Sequence, residues 1–279
     1  MNAILIGRGG WGKLLETYIQ QSENFTLLGV YGSDFDISLI PSNTQVAFIA
    51  TPLCAHFDLT MACITKGLHV FVEKPTCKTL DEFYMLQDCA KQHNLRIYTD
   101  YIYLCSSSIS YIIEMIKDKP LDSIHATITQ YGKFYENESV LDVLGVHWLS
   151  VFCSIFPELY VKHFFYQNPY QLQATFLTKD CRYKHCKITL FCSLLHDKKA
   201  RTLEIYAKDM SIVFDMQTNP TIKISNLSES KNIHFDEQNN IARTLNHFYE
   251  ILFNDELYNK HIKMCHEILQ LCCNMKPAI

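Results

Sequence analysis

Two charged residues that could do chemistry, Glu73 and Lys74, stand at the end of an apolar run. Residues 68–72 read Leu-His-Val-Phe-Val, with a glycine before them and Pro75 after the charged pair. A short β-rich run with these boundaries is typical of a buried strand, and ligands bind at the carboxyl ends of strands in an open α/β sheet. An edge strand that ends in a solvated Glu-Lys pair would have the same sequence, so the interpretation depends on the flanking segments.

A glycine-rich motif lies close to the N-terminus, between an apolar run at residues 3–6 and a helical pattern at residues 13–21. Its glycines satisfy G-x-G-x-x-G in the strand-to-helix setting that the motif requires. Such glycines allow a tight turn, the approach of a pyrophosphate and close helix packing, and the helix N-terminus offers N–H groups to phosphate. The motif predicts a dinucleotide-binding loop made of Gly7, Arg8, Gly9, Gly10, Trp11 and Gly12.

The end of the second predicted strand, residues 25–31, is where many dinucleotide-binding folds place an acid for the adenosine ribose. The residues there are Gly32-Ser33-Asp34. Either Asp34 reaches the ribose hydroxyls or Ser33 contacts a 2′-phosphate, and Asp34 as the cap of a plain turn explains the sequence equally well. No arginine follows to bind a phosphate, so both NAD and NADP are retained as the predicted cofactor.

The elements that must position these residues alternate between strand and helix. Further strands are predicted at residues 45–50 and 95–99, and helices at residues 56–66 and 79–93, the second opening on the capping box Thr79-Leu80-Asp81-Glu82. Alternation of this kind implies βαβ units with right-handed crossovers. The strand ends of the resulting parallel sheet would lie along one crevice.

Composition excludes several classes of function. The 279 residues suffice for one large or two modest domains, and the formal net charge of −4 gives no basic field for nucleic acid or an anionic membrane. No secretory signal is visible, and no apolar run reaches the roughly 20 residues of a membrane span. The twelve cysteines are scattered, which indicates reduced thiols in a cytoplasmic protein and no metal site. A small-molecule or protein partner is expected.

Three motifs together resemble the Gfo/Idh/MocA oxidoreductases, a family that includes glucose-fructose oxidoreductase and inositol 2-dehydrogenase. They are the glycine loop, Ala50-Thr51-Pro52 with His56, and residues 67–75. The resemblance implies a Rossmann-like NAD(P)-binding domain over residues 1–102. It implies that Lys74 is catalytic. It also implies four further cofactor-binding residues: Thr51, Pro52, His56 and Glu73.

The second half is also similar to this family. Strand-like runs occur at residues 123–131, 172–177, 187–194, 201–207 and 211–216, and amphipathic helices at residues 241–253 and 260–273. They fit the family's substrate-binding and oligomerisation domain, an open, mostly antiparallel sheet flanked by helices, here residues 103–279. The family pairs subunits through the exposed face of that sheet, so a homo-oligomer is expected.

Residues 140–150 resemble the family segment that carries an active-site histidine after a glycine, which implies His147 as the second catalytic residue. Many relatives have an aspartate four positions before that histidine, but here that position is Val143, and Asp142 lies one residue earlier. A shift of one residue changes the direction of a side chain. Asp142 and Tyr101 are still expected among the substrate contacts, although Tyr101 would equally suit packing between domains.

These residues predict hydride transfer between a nicotinamide and a carbon that bears oxygen. His147 would move the hydroxyl proton because imidazole titrates near neutrality, and Lys74 would stabilise the developing alkoxide. The resemblance implies an NAD(P)-dependent oxidoreductase acting on a hydroxyl or keto group of a sugar, cyclitol or sugar nucleotide. Two alternatives are retained: a catalytically silent dinucleotide-sensing regulator, since the family includes a transcriptional corepressor, and a reductase of a tetrapyrrole or imine.

Overall fold

A computed structural model describes residues 1–135, 137–217, 221–237 and 239–276 of the chain. The chain forms two compact units. The first unit contains Met1–Ile102 and Asn239–Leu269, and the second contains Tyr103–Gln238 and Gln270–Ile279. The division differs from the predicted one because a C-terminal segment returns to the first unit.

The first unit is built on a parallel sheet of five strands in the order β2-β1-β3-β4-β5. Its strands are β1 (Asn2–Ile6), β2 (Thr26–Tyr31), β3 (Val46–Ile49), β4 (His69–Glu73) and β5 (Ile97–Asp100). The intervening helices are α1 (Gly10–Gln21), α2 (His56–Thr65) and α3 (Leu80–Gln92). All residues of β3 and β5 are buried, as expected for a parallel sheet covered on both faces.

The predicted capping box is present at the start of α3. Thr79 Oγ1 accepts the backbone N–H of Glu82 at 3.1 Å, and Glu82 Oε2 accepts the backbone N–H groups of Lys78 and Thr79 at 2.7 and 3.3 Å. These bonds satisfy N–H groups that have no partner within the helix. They fix the point at which the chain leaves the loop after β4.

One face of the parallel sheet is covered by the helix from the C-terminal segment, α6 (Asn240–Phe253). The ring of Phe248 lies 5.8 Å from that of Phe48, 5.5 Å from that of Phe71 and 5.5 Å from that of Tyr98. Aromatic burial of this kind is a large contribution to a core. The prediction that residues 103–279 form one domain is therefore wrong for residues 239–269, since the apolar face of α6 completes the core of the first unit.

The second unit is built on an eight-stranded sheet with the order β13-β12-β11-β10-β6-β9-β8-β7. Its strands are β6 (Ser123–Tyr131), β7 (Leu159–Asn168), β8 (Gln171–Thr178), β9 (Lys187–Ser193), β10 (Leu195–Ala207), β11 (Met210–Asp215), β12 (Thr221–Ser225) and β13 (Ser230–His234). Pairing is antiparallel throughout except between β6 and β9. The predicted fold class, a parallel Rossmann-like sheet followed by a mostly antiparallel one, is confirmed.

Two helices of the second unit precede and follow β6, namely α4 (Ser107–Ile116) and α5 (Val146–Ile155). The last helix, α7 (Asp255–Asn274), begins in the first unit and ends in the second. Sequence patterns did not predict α4, α5, β7, β12 or β13. Strand β7 escaped because most of its residues are exposed or half-exposed, so it lacks the alternation of a strand with one buried face.

All twelve cysteines carry free thiols. Within the described ranges, no helix has the length and apolarity needed to cross a bilayer.

Candidate functional site

The glycine loop joins β1 to α1 and packs tightly against the residue that follows β3. Gly7 has a φ of +125°, and a Cβ atom there would collide with the backbone of Ala50, while a Cβ atom on Gly12 would collide with the carbonyl of Gly7. These two glycines therefore allow α1, the turn before it and the end of β3 to pack closely against one another. By contrast, Cβ atoms on Gly9 and Gly10 would meet nothing within 4 Å.

The start of α1 is open to a ligand. Gly9 is the N-cap and provides no side chain to bond the first-turn N–H groups. Uncapped N–H groups and the positive end of the helix dipole attract an anion such as phosphate. The cradle around Gly9 and Gly10 thus fits the pyrophosphate of a dinucleotide, as the motif predicts.

The end of β2 lies beside Arg8. The Nη2 atom of Arg8 donates to the Val30 carbonyl at 2.6 Å. A Cβ atom on Gly32 would lie 3.5 Å from Arg8 Cδ and 3.1 Å from Asp34 Oδ1. Ser33 and Asp34 are both exposed. The sequence following β2 offers no arginine, but the fold brings Arg8 from the glycine loop to the same position.

His56 links the loops that follow β3 and β4. It is 1% exposed, with Nδ1 2.8 Å from the Pro75 carbonyl and Nε2 2.9 Å from the Thr51 carbonyl. Burial lowers its pKa, with the two carbonyls acting in the opposite direction. Both ring nitrogens face backbone oxygens, so His56 holds the predicted residues Thr51 and Pro52 against the loop containing Lys74. Direct contact between His56 and a cofactor stays a prediction.

Glu73 and Asp100 form a pair of neighbouring acids at the carboxyl edge of the sheet. They are partners in the register of β4 and β5. The indole Nε1 of Trp11 donates to Glu73, and Thr244 Oγ1 donates to Asp100 Oδ1 at 2.9 Å. Trp11 and Glu73 were predicted for this site, whereas Asp100 and Thr244 were not.

Burial is the main reason why both acids are hard to ionise. It raises the pKa of Glu73 to about 8, helped by the charge of Asp100 and opposed by Lys74 and the Trp11 hydrogen bond. It raises the pKa of Asp100 to about 7, against the Thr244 hydrogen bond and the charge of Lys74. The two carboxyl groups therefore keep a proton near neutral pH, and Lys74 supplies the positive charge that the ionised form needs.

In the second unit, His147 lies in the first turn of α5, after a π-helical turn over Leu141–Gly145. A Cβ atom on Gly145 would lie 2.8 Å from Leu141 Cδ1 and 2.9 Å from Cys192 Sγ. Glycine is required there because the turn packs directly against β9. This explains the glycine that precedes the predicted histidine.

The imidazole of His147 is held by stacking. Its ring centroid lies 4.7 Å from that of Tyr103, with 18° between the ring planes. Tyr103 also packs edge-on against Trp148, whose Nε1 donates to the Thr127 carbonyl at 3.3 Å. His147 as a residue is half-buried, and its Nδ1 atom is buried.

The two residues expected to contact substrate have local structural contacts. Asp142 Oδ2 accepts hydrogen bonds from the N–H and hydroxyl of Ser139 at 3.0 and 2.8 Å, so it caps the turn before α5. Tyr101 is 2% exposed. Contact of either residue with substrate stays a prediction, and these positions give it no support.

The family profile described as oxidoreductase family, NAD-binding Rossmann fold, matches residues 14–101. This match confirms the predicted family resemblance over that part of the chain and the dinucleotide class of cofactor. Comparison with curated proteins gives no match.

Solved structures share the fold over nearly the whole chain. The UDP-N-acetylglucosamine 3-dehydrogenase GnnA from Acidithiobacillus ferrooxidans is 15% identical, with a TM-score of 0.84 over 98% of this chain and 96% of that one. The 3-ketoreductase KijD10 from Actinomadura kijaniata, in complex with NADP and TDP-benzene, is 11% identical, with a TM-score of 0.85 over 96% and 94% of the two chains. At these identities the likeness establishes the architecture alone.

Proposed function

Since residues 14–101 match the Gfo/Idh/MocA oxidoreductase family, we propose that the chain is an NAD(P)-dependent oxidoreductase. Its reaction is hydride transfer to or from a hydroxyl or keto carbon of a sugar-like molecule. Sugar nucleotides are the first candidates because GnnA is named as a UDP-N-acetylglucosamine 3-dehydrogenase and KijD10 as a 3-ketoreductase, the latter in complex with TDP-benzene. One observation carries the proposal: a lysine beside the half-buried Glu73 and the buried Asp100, at the carboxyl edge of a sheet whose glycine loop is open to phosphate.

The dinucleotide is held by the glycine loop and the end of β2. Gly9 and Gly10 leave room for the pyrophosphate, and the first turn of α1 supplies N–H donors. Arg8 and Asp34 flank the position expected for the adenosine ribose, where Arg8 favours a 2′-phosphate and Asp34 favours free hydroxyls. When bound, the nicotinamide gives or accepts the hydride.

Lys74 stabilises negative charge on the substrate oxygen. An ammonium group fixed in a partly buried site stabilises a developing alkoxide more than it would in water, because no solvent must reorganise. Glu73 and Asp100 face this lysine and retain a proton near neutral pH. The cluster can therefore balance the charge of Lys74 without two fully ionised carboxylates.

His147 transfers the hydroxyl proton. Its ring is oriented by stacking on Tyr103 and by the turn that Gly145 makes possible. A general acid or base of this kind contributes about 10²- to 10⁴-fold in rate. The two catalytic assignments, one in each unit, are separate proposals.

The test uses the full chain and follows the absorbance of the reduced cofactor with a panel of sugar nucleotides, sugars and cyclitols. We expect Lys74→Ala and His147→Ala each to lower kcat by about 10²- to 10⁴-fold, whereas the exposed Lys66→Ala control retains turnover. Binding of NAD and NADP, followed by the fluorescence of Trp11 in the glycine loop, should be largely unchanged. Full turnover in either catalytic variant would remove that residue from the mechanism.

A second candidate, a catalytically silent dinucleotide sensor, is favoured by one observation. Asp142, which lies one position before the site of the family aspartate, bonds to Ser139 and serves as a turn cap. A sensor would bind the dinucleotide but turn over no member of the panel. Turnover that depends on both Lys74 and His147 would exclude it.

We further propose a homo-oligomer that uses the outward face of the eight-stranded sheet. On this face β6, β7, β8 and β9 border a groove of about 500 Å³, and aromatic side chains lie exposed beside it: Phe164 is 41% exposed and Phe165 65%. Exposed aromatics next to a groove are typical of interaction surfaces. Phe165→Glu should convert the oligomer to monomers in analytical ultracentrifugation, and a wild-type monomer would contradict the proposal.

A further inference from the structure

Arg201 is a cation buried in the second unit, where it is 7% exposed. It lies on β10, on the same face as the fully buried Leu203 and Ile205. Its Nη1 atom donates to the carbonyls of Thr129 and Ala200 at 2.7 Å each, and its Nη2 atom to Gln130 Oε1 at 2.6 Å. The hydrogen bonds are satisfied by neutral groups alone.

No carboxylate balances the charge of Arg201 among the described residues. The ionisable groups that face it are the Tyr103 hydroxyl, the Cys192 thiol and the Lys199 ammonium. Burial lowers the pKa of Arg201, with Tyr103 and Cys192 acting in the opposite direction. A buried charge without a counter-ion is costly and is normally paired, so the arrangement invites an anion.

Two lysines add to the same positive region. The pKa of Lys199 is lowered by partial burial and by the charges of Arg201 and Lys133. Arg96 and Arg182 show the usual alternative, since each forms an ion pair with one or more aspartates. The contrast marks Arg201, Lys199 and Lys133 as a cationic cluster that no acid in the described part of the chain neutralises.

The cationic cluster is connected to the proposed proton-transfer residue. Burial raises the pKa of the Tyr103 hydroxyl to about 12 and the neighbouring Arg201 acts against this rise, while the ring of Tyr103 stacks on His147. An anion held by the cluster would therefore lie near the ring that orients His147. This connection lies wholly within the second unit.

We infer that the Arg201, Lys199 and Lys133 cluster binds a phosphate or diphosphate group carried by the substrate. The inference rests on the proposed function and narrows its substrate class to phosphorylated sugars or sugar nucleotides. The Nη atoms of Arg201 already bond to neutral oxygens, so the cluster acts mainly through charge and mobile ammonium groups. Such a cluster suits a multiply charged phosphate better than a carboxylate, since a carboxylate is typically bound by a bidentate arginine.

The direct test is isothermal titration calorimetry on the full chain. The protein is first saturated with NADP, so that the cofactor's own phosphates cannot account for the signal. It is then titrated separately with uridine diphosphate, pyrophosphate, uridine and glucuronate. We expect binding of uridine diphosphate and pyrophosphate that weakens about tenfold in Lys199→Ala and again in Lys133→Ala. The matched control Lys223→Ala, an exposed lysine on β12, should bind like the wild type. Affinity should fall as salt concentration rises.

Several outcomes would overturn the inference. They are equal affinity of the lysine variants and the wild type, preference for glucuronate over the phosphates, or loss of affinity in the Lys223→Ala control. Because Arg201 is buried, Arg201→Lys is used in place of an alanine variant, and the exposed lysines keep the test valid if that protein fails to fold. In kinetics, Lys199→Ala should raise KM for a phosphorylated sugar with little change in kcat.

Failure of the proposed function is recognised separately. If the Trp11 fluorescence shows no binding of NAD or NADP, the oxidoreductase proposal fails whatever the calorimetry gives. If the dinucleotide binds and phosphorylated sugars are turned over with the same kcat/KM in wild type and Lys199→Ala, only the phosphate site is excluded.

Discussion

The two units contain ionisable clusters of opposite character, one around the buried Asp100 and one around the buried Arg201. In the first, Glu73 and Asp100 face a single lysine, Lys74, and the cluster reaches charge balance by keeping a proton on the acids. In the second, Arg201 has lysines nearby and, within the ranges that the structure describes, no acid. The first cluster can adjust its own charge with pH, whereas the guanidinium of the second keeps its proton and would be balanced by the anion that we infer.

The difference has a chemical reason. A carboxyl group that is desolvated can take up a proton near neutral pH, but a guanidinium keeps its proton under all ordinary conditions. Acids are therefore suited to a site whose charge changes during a reaction. A buried arginine is suited to a site that is completed by a bound anion.

The largest stability effect that separates the two clusters is expected for Lys74→Gln. Removal of the cation leaves two acids facing each other, which should lower the free energy of unfolding at pH 8 by about 3 kcal/mol. The loss should shrink near pH 5, where both acids are protonated. Urea denaturation at the two pH values measures it, with Lys66→Gln as the exposed control, and an equal loss at both pH values would contradict the charge balance described here.

A second experiment examines the acids themselves. A buried acid whose pKa is raised binds a proton in the folded state that it releases on unfolding, so its stabilising effect is lost as pH rises from about 4 to the folded pKa. The folded pKa values are about 8 for Glu73 and about 7 for Asp100. We expect the wild-type Tm to fall as pH rises through this window, by about 2–4 °C for each kcal/mol lost.

The double variant Glu73→Gln/Asp100→Asn should remove that slope while keeping acceptor oxygens for Trp11 and Thr244. The buried His56, whose pKa is lowered, contributes the opposite slope below its ordinary pKa, since a neutral buried histidine loses stability as the pH falls. Because the double variant retains His56, the difference between the two Tm curves isolates the acids. Parallel curves would show that the acids ionise normally.

A pair of glycine variants compares the two units with respect to packing. Gly145→Ala places a Cβ atom against Leu141 and Cys192, and we expect a loss of about 1–3 kcal/mol of unfolding free energy together with a lower kcat, because His147 moves. Gly10→Ala meets no atom in the chain, so its stability should be unchanged while NADP binding weakens. Denaturation and fluorescence titration measure both, and the reverse pattern would refute the assignment of the two glycines.

The smallest effect is expected for Lys199→Gln. It removes one of several like charges, so the ligand-free protein should become slightly more stable, by about 0.5 kcal/mol, the opposite sign from Lys74→Gln. Added pyrophosphate should cancel or reverse this gain because the wild type binds it more tightly. Thermal denaturation with and without pyrophosphate measures both effects. Destabilisation of the ligand-free Lys199→Gln protein would contradict the repulsion between like charges in this cluster.

Sequence patterns predicted the first unit well because its signals are local. A strand followed by glycines and a helix identified the loop at residues 7–12, and the strand-end rule identified Glu73 and Lys74. Asp100 follows the same rule at the end of β5 but was not selected. Asp100 belongs to the site because it lies opposite Glu73 on the neighbouring strand. The sequence of either strand alone does not predict this register.

The second unit was predicted less completely because its site depends on contacts distant in sequence. Arg201 reads as one polar residue at the start of a strand, and only the pairing of β10 with β6 brings it to Thr129 and Gln130. The division into units was also missed. Helix α6 has the amphipathic pattern of many surface helices, and the pattern does not tell which apolar surface it covers.

The return of α6 to the N-terminal sheet has a consequence for synthesis on the ribosome. Residues 1–102 leave the exit tunnel well before Asn239–Leu269 are translated, so the aromatic face formed by Phe48, Phe71 and Tyr98 stays uncovered meanwhile. Domains generally fold as units, the N-terminal one first, and exposed apolar surface favours aggregation. A nascent chain halted before residue 239 should therefore engage chaperones, and extension through α6 should release it.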